Sequence, residues 1–416
     1  MKSENFTTAL NAQCSMNKIR ISGVGCCLLD RIYDNVDFQS DSFLTYISKK
    51  AGDGGLEPGK LTFEEELERF SGDSFESQIL PLLTLGRKAD KENIGGPCIV
   101  ALINAAQVAW QESEVCFYGC RGDQQVGRDL MEKLRHTPVN LEHYRIEEGS
   151  ETASTSVLSD PNFDNGHGER TFVNTIGASW HYLPQEVDDS FYQSQICVFG
   201  GTALVPRIHQ GLSSMLKRAK QGGSITIVNT VYDFINEKEH PNQRWPMGDG
   251  DESYRFIDLL IVDHEEALRL SGCNDIPSSI AFFRQKGTGA VLVTNGAHNV
   301  HLWADSPLFG KVEEQTMPVS AAVGQVLKEG RKGDSTGCGD NFAGGVIASF
   351  ARQIYNCRLS TVTCQLSTLD LIESCKWGIV SGGFACFYYG GTYIEKQKGE
   401  KLALLQNLYN QYLMQS

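Results

Sequence analysis

From Gly95 onward, short apolar runs rich in β-branched residues alternate with stretches of helical periodicity, and few folds accommodate that rhythm. Glu114–Tyr118, Gln195–Phe199, Ser224–Val228, Ile257–Val262 and Ala290–Thr294 read as strands. Cys98–Trp110, Val126–Leu134, Pro206–Lys220, His264–Leu270, Gly337–Phe350 and Leu369–Phe387 read as helices. Strands this short and this apolar, with helices between them, predict a largely parallel sheet covered on both faces. Ile19–Val24 opens the chain's strands, and Leu141–Ile146, Ser154–Leu158, Arg170–Val173 and Val300–Trp303 add to them. No internal repeat is visible.

The rhythm fails between residues 35 and 94, a polar, glycine-containing stretch with one helical piece at Thr62–Phe70. Thr62 ahead of Glu64, Glu65 and Glu66 suits a capped helix start. The expected organisation is a polar tail at 1–17, an α/β core from 18–34 and 95–416, and an excursion at 35–94 joined by parts of 150–175.

Charge narrows the partners. With 37 Lys plus Arg against 51 Asp plus Glu, the net charge is −14, and no basic block is present. DNA and RNA are therefore excluded as expected partners. An anionic substrate would need capture by backbone amides, a metal and a few cations. The 13 cysteines are odd in number, scattered, and never spaced CxxC. Reduced thiols are expected rather than a disulfide framework or zinc site. The polar first 17 residues do not read as a signal peptide, and no apolar stretch of about 18 residues would span a membrane. A cytoplasmic protein is expected by elimination.

The chemistry concentrates in Gly333-Asp-Ser-Thr-Gly-Cys-Gly-Asp-Asn-Phe-Ala-Gly-Gly345. Gly337 and Gly339 precede an apolar helix, whose first N–H groups lack intrahelical partners. Those of Gly337, Cys338 and Gly339 form a candidate anion hole, favoured by the helix dipole. Asp340, one residue on, can take a proton from a hydroxyl while the hole holds a phosphoryl group. On spacing alone, a glycine turn with a helix-start carboxylate is also compatible.

The run Asp334-Ser-Thr-Gly-Cys-Gly-Asp340 resembles the DTxGAGD signature of the ribokinase-like (PfkB) carbohydrate kinases, with Ser335 for Thr and Cys338 for Ala. Further matches run in family order from about residue 18 to 390. The resemblance implies a three-layer α/β/α sandwich with a small β-rich lid, drawn here from 35–94 and parts of 150–175. It implies Asp340 as the base, with the 337–339 amides holding the transferred phosphate. Asp30, in Gly23-Val-Gly-Cys-Cys-Leu-Leu-Asp30, matches the family's acceptor-binding Asp, and a carboxylate can accept both bonds of a vicinal diol. Leu28 at the third glycine position excludes a dinucleotide fingerprint there.

Gly95-Gly96 resembles the substrate-side di-glycine, although Val100 stands where the family usually has Asn, with Asn104 one turn on. Glu151–Thr155 would sit beside the acceptor, and Arg170, in Gly168-Glu-Arg-Thr-Phe172, would meet substrate or a structural carboxylate. Gly122-Asp123…Gly127 resembles the family's GDDxxG turn, expected to be structural. Asp263-His-Glu-Glu266 resembles the family's NxxE magnesium motif, making Asp263 and Glu266 the metal candidates. Thr294-Asn-Gly296 resembles the TxG segment along the nucleotide phosphates. Asp334 and Lys332 complete the expected nucleotide contacts. Gly54–Leu61 nearly matches a Walker loop, but Leu61 supplies no hydroxyl for magnesium.

The expected activity is transfer of the ATP γ-phosphoryl group to a sugar or polyol hydroxyl, with Mg2+ and, as an optional addition, a monovalent cation. A homodimer through the lid is an expected partner arrangement. Leu56-Glu-Pro-Gly59 and Leu28-Leu29-Asp30 resemble adenosine-kinase-like members, which keeps a nucleoside acceptor open. A degenerate member acting as a binding or regulatory protein is the non-enzyme alternative, left open by Val100 and Asp263.

Overall fold

A computed structural model describes residues 18–50, 52–330, 333–360 and 368–415. The tail at 1–17 and Lys332 lie outside these residues. The described strands are β1 (Ile19–Gly25), β2 (Leu28–Asp34), β3 (Leu61–Phe63), β4 (Lys91–Gly95), β5 (Ser113–Gly122), β6 (Asn140–Glu147), β7 (Ser154–Asp160), β8 (Glu169–Thr175), β9 (Ile196–Gly200), β10 (Ile225–Asn229), β11 (Leu259–Asp263), β12 (Ala290–Thr294), β13 (Val300–Ser306) and β14 (Gly310–Met317).

The large sheet has the order β14-β13-β12-β11-β10-β9-β1-β5-β6. Every pairing from β12 to β6 is parallel, and β13 and β14 add an antiparallel edge. β9 shows why these strands read as uninterrupted apolar runs: Ile196 and Val198 enter one core, Cys197 and Phe199 the other. Successive strand side chains point to opposite faces, and both faces are covered. Helices Pro97–Val108, Cys338–Ser360 and Leu371–Ala385 cover the first face; Leu212–Gln221, His264–Ser271 and Ile276–Gln285 cover the second. None of the described helices is long and apolar enough to cross a membrane.

The small sheet has the order β3-β8-β7-β2-β4. The chain leaves the large sheet at Cys26-Cys27, so the expected core segment 18–34 is divided: β1 pairs in the large sheet, β2 with β4 and β7 in the small one. Burial alternates along β2, with Arg31 and Tyr33 buried and Asp30, Ile32 and Asp34 partly open.

The 35–94 stretch is more regular than its composition suggests. Helices Asp41–Tyr46, Glu64–Ser71 and Leu80–Thr84, with a wider turn at Phe75–Ile79, pack on one face of the small sheet. Phe43, Leu67, Phe75 and Ile79 are each fully buried there with Val173 and Leu158. Each such side chain contributes about 1.5–3 kcal/mol. These helices are too short to show a clear period in sequence. Thr62 does not cap the helix after it: it pairs in β3 with Val173, its hydroxyl donates to Gly54 O (3.2 Å), and Phe63 holds the N-cap position without a side-chain bond. The near-Walker segment lies in this excursion, where the Lys60 ammonium pairs with Glu57.

Candidate active site

The glycine loop lies at the start of helix Cys338–Ser360. Gly337 has φ +71°, and a Cβ there would come within 2.6 Å of Gly391 Cα, so both backbone conformation and space demand glycine. The Cys338 N–H closes a turn onto Ser335 O at 3.3 Å. Gly339 is exposed and faces open space, leaving an approach to the helix start. Asp334, expected among the nucleotide contacts, braces the loop. Its Oδ1 accepts from Thr336 N–H (3.0 Å) and Gly390 N–H (3.2 Å), and its own N–H donates to Tyr388 O (3.1 Å).

Beside the loop, a cavity of about 350 Å³ brings Thr294 and Gly296 together with Cys338 and Gly339. Val300, Val323, Leu327 and Ile379 give it an apolar wall. Polar helix-start amides at one end and an apolar slot at the other suit an anionic group joined to a flat ring.

Asp263 ends β11 in register with Thr294 and caps the following helix. Its Oδ1 accepts the Glu266 N–H (2.8 Å), while Glu266 Oε2 accepts the Asp263 N–H (3.0 Å) and a hydrogen bond from the Thr230 hydroxyl. Burial pushes the Glu266 carboxyl up to about 8, with repulsion from Asp263 and Asp340 adding to it. Among the described residues no three His, Cys, Asp or Glu side chains form a cluster that could hold a metal. The donor set therefore fits magnesium only as a hydrated ion held mainly by phosphate oxygens, with Glu266 and Asp263 able to receive its waters.

The acceptor candidates face the helix start across the cleft. Asp30 is in register with Asn93 on one side and Thr155 on the other, Thr155 with Asn174, and Asn174 with Phe63. Residues directly opposite share a sheet face. Asn93, Asp30, Thr155 and Asn174 thus form a polar row on the face the helices leave open, and Asn174 Oδ1 is buried without a partner. Gly95 leaves room for this arrangement: a Cβ there would lie 2.2 Å from Asp30 Oδ2. Gly96 is the N-cap of helix Pro97–Val108. The next row on the same face is Ile32, Val157, Phe172 and Leu61.

Burial pushes Asp340 up to about 7. Asp30 also rises to about 7, through burial first and then repulsion from Asp340 and Asp334, against a lowering hydrogen bond from Thr155. Asp340 repels both Asp30 and Glu266, although burial is the larger cause of the rise at each. Arg170 does not join them. It is exposed and pairs with Ser159, level with Asp34 rather than Asp30. Four residues of strand separate those levels, about 13 Å.

Other residues supporting the loop were not anticipated. Asn341, 1% exposed, donates from Nδ2 to Gly337 O and Gly391 O, both at 2.8 Å. Its Oδ1 accepts from the Lys401 ammonium (2.9 Å) and the Tyr388 hydroxyl (3.2 Å). Lys401 is 1% exposed, and burial holds its ammonium down to about 7. Asn104, one turn beyond the Val100 position, donates from Nδ2 to Asn341 O (2.8 Å) and so supports the same helix. Asn341 carries a local signal, a polar residue amid the apolar side of a helix start; Lys401 carries none.

A doubly covered parallel sheet, a small sheet facing it across a cleft, and a glycine-led helix start between them define a ribokinase-like α/β fold. The chain belongs to the pfkB family of carbohydrate kinases, whose sequence model matches residues 91–398. Members of this family are phosphotransferases. Among solved structures, the chain is similar to adenosine kinase from Schistosoma mansoni in complex with 2-fluoroadenosine, at 16% identity and TM-score 0.65, covering 90% of this chain and 96% of that one. It is similar to ribokinase from Giardia lamblia at 15% identity and TM-score 0.61, covering 90% and 96%. Ribokinase from Thermotoga maritima matches at 16% identity and TM-score 0.59, covering 94% and 99%.

Proposed function

We propose that the chain is an ATP-dependent kinase acting on a sugar hydroxyl. The observation that carries this reading is the glycine-led helix start, open beside Gly339 with Asp340 in its first turn, and Asp30 on the small sheet close enough to feel the Asp340 charge. Asp340 takes the acceptor proton, and a carboxyl value near 7 suits a base working at neutral pH. The helix-start amides hold the transferred group, and Asp30 with Thr155 orients the hydroxyls, while the Asn93 amide ties β4 to Tyr389 O and Thr392 O. Bound magnesium would supply charge neutralisation of the phosphates; Glu266 and Asp263 hold its waters.

Two acceptor chemistries fit the polar row, a free sugar or polyol and a nucleoside. The apolar row Ile32, Val157 and Phe172 beside it favours an acceptor with a flat ring attached to its hydroxyls, as in a nucleoside. A cavity of about 600 Å³ lined by Phe63, Ile176, Trp180 and Ile235, together with Glu66 and Lys238, begins at Phe63, the residue in register with Asn174. A lid–lid homodimer would have to use edge strands β3 and β4, because the chain's own helices cover one face and the cleft takes the other. Buried thiols such as Cys27, Cys98, Cys197 and Cys375 suit a cytosolic enzyme.

A thermal-shift panel of sugars, polyols and nucleosides, with and without a non-hydrolysable ATP analogue, separates these chemistries. A nucleoside that stabilises the protein, and more so with the analogue, supports this reading. Stabilisation by free sugars alone moves the acceptor to the sugar class. Response to the analogue without any acceptor favours a regulatory member of the family.

A further inference from the structure

The glycine loop departs from its family's signature at Cys338, and that thiol has a neighbour. Cys338 Sγ lies 3.4 Å from Cys386 Sγ, at the C-cap of helix Leu371–Ala385. A Cβ at Gly382 would be only 2.8 Å from Cys338 O, so the two helices already meet at backbone distance there. Both sulfurs belong to partly exposed residues and both line the 350 Å³ cavity with Thr294 and Gly339. Two thiols are thus in van der Waals contact, within reach of a small oxidant, at the mouth of the anion-binding loop.

We propose that Cys338 and Cys386 form an oxidisable dithiol, and that its disulfide disables the nucleotide side of the site. The second half of this inference rests on the functional reading above; the first does not. Either thiol can donate across the 3.4 Å contact, so either sulfur can attack first, Cys386 as readily as Cys338. With hydrogen peroxide as oxidant and Cys386 first, the Cys386 thiolate attacks one peroxide oxygen, breaks the O–O bond and becomes a sulfenic acid, and the departing hydroxide takes a proton. Cys338 then attacks that sulfur, loses its own proton and expels the oxygen as water. Two thiols and one peroxide yield one disulfide and two waters.

The S–S bond must shorten the 3.4 Å contact to about 2.05 Å. That pull acts on the residue whose amide sits between Gly337 and Gly339. Displacement of a positioning group by an ångström costs roughly 10²-fold in rate. Oxidation should therefore lower turnover by about that factor, with nucleotide affinity falling alongside.

The test uses the full chain with hydrogen peroxide, free thiols then being blocked and the protein digested. The expected result is a Cys338–Cys386 linked peptide, lighter by two hydrogens than its parts. Loss of ATP-analogue binding should accompany it, and dithiothreitol should reverse both. In Cys386→Ser and Cys386→Ala the ratio of oxidised to reduced activity within each variant should return towards one, which removes any change in basal rate. Peptides recovered unlinked and blocked overturn the dithiol. A linked peptide with unchanged nucleotide binding overturns its effect on the site. Reduced protein that binds no nucleotide overturns the functional reading and the coupling with it, while the linked peptide still decides the bond.

Discussion

The two walls of the cleft are built by different means. The nucleotide wall is made of segments local in sequence: a glycine loop leading into a helix, and the ends of β11 and β12, where Asp263 stands beside Thr294. The acceptor wall is made by register. Asn93, Asp30, Thr155 and Asn174 come from four strands far apart in sequence and share a face only because those strands pair as they do. A wall made of backbone amides and glycine turns tolerates one family of ligand, anionic and phosphate-bearing. A wall made of side chains can be re-lettered strand by strand, and on the proposed reading it is where acceptor choice resides.

The largest expected effect bears on the point where the walls meet. Asp340→Asn should lower kcat by ~10²–10⁴-fold, as loss of a general base does, with nucleotide and acceptor binding both retained. Steady-state kinetics with calorimetric binding checks this, and near-normal kcat removes Asp340 from the role.

Gly95→Ala separates the walls. Its Cβ would fall 2.2 Å from Asp30 Oδ2, so the carboxylate must move. We expect kcat/KM for the acceptor to drop by roughly 10²-fold with nucleotide affinity unchanged. An equal loss on both sides would show that the walls are not independent.

Asn341→Ala acts on the opposite wall. It frees the carbonyl of Gly391, leaves that of Gly337 with only the Asn341 backbone N–H, and leaves the Lys401 ammonium without its acceptor. A stability loss of about 1–3 kcal/mol in denaturant titration should accompany weaker nucleotide binding, with the acceptor KM unmoved.

Asp30 and Asp340 both rise from 3.8 to about 7 in the folded protein. Each contributes stability in its protonated form that is complete below 3.8 and is lost as pH rises through about 7. The ligand-free melting temperature should therefore fall over that range, and less steeply in Asp30→Asn. A parallel pair of curves would mean Asp30 titrates normally. The smallest effect belongs to Arg170→Ala: exposed and level with Asp34, it should leave the acceptor KM unchanged.

These contrasts also explain what the sequence disclosed. Strand and helix alternation after Gly95 shows in side-chain pattern because both sheet faces are buried, and the glycine loop shows because its chemistry lies within seven residues, Asp334–Asp340. Thr155 is reached through its segment's order in the family, and strand pairing sets it beside Asp30. Asn93 and Asn174 were not anticipated, because strand register leaves no mark in a single chain. Lys401 was missed for the same reason: its partner Asn341 is 60 residues away. Asp334 shows a limit of another kind. Its motif position was recognised, but a carboxylate that braces a loop and one that meets a ligand look alike in sequence. Arg170 has a motif, but its place level with Asp34 follows from strand pairing, which the motif does not disclose.

The central claim is that phosphoryl transfer happens between these walls. Mass spectrometry of the acceptor after incubation with ATP and magnesium tests it most directly. The account predicts a ribose-bearing acceptor carrying one added phosphoryl group, formed together with ADP and absent with Asp340→Asn. ADP formed with no phosphorylated acceptor, or product formed equally by Asp340→Asn, would contradict it.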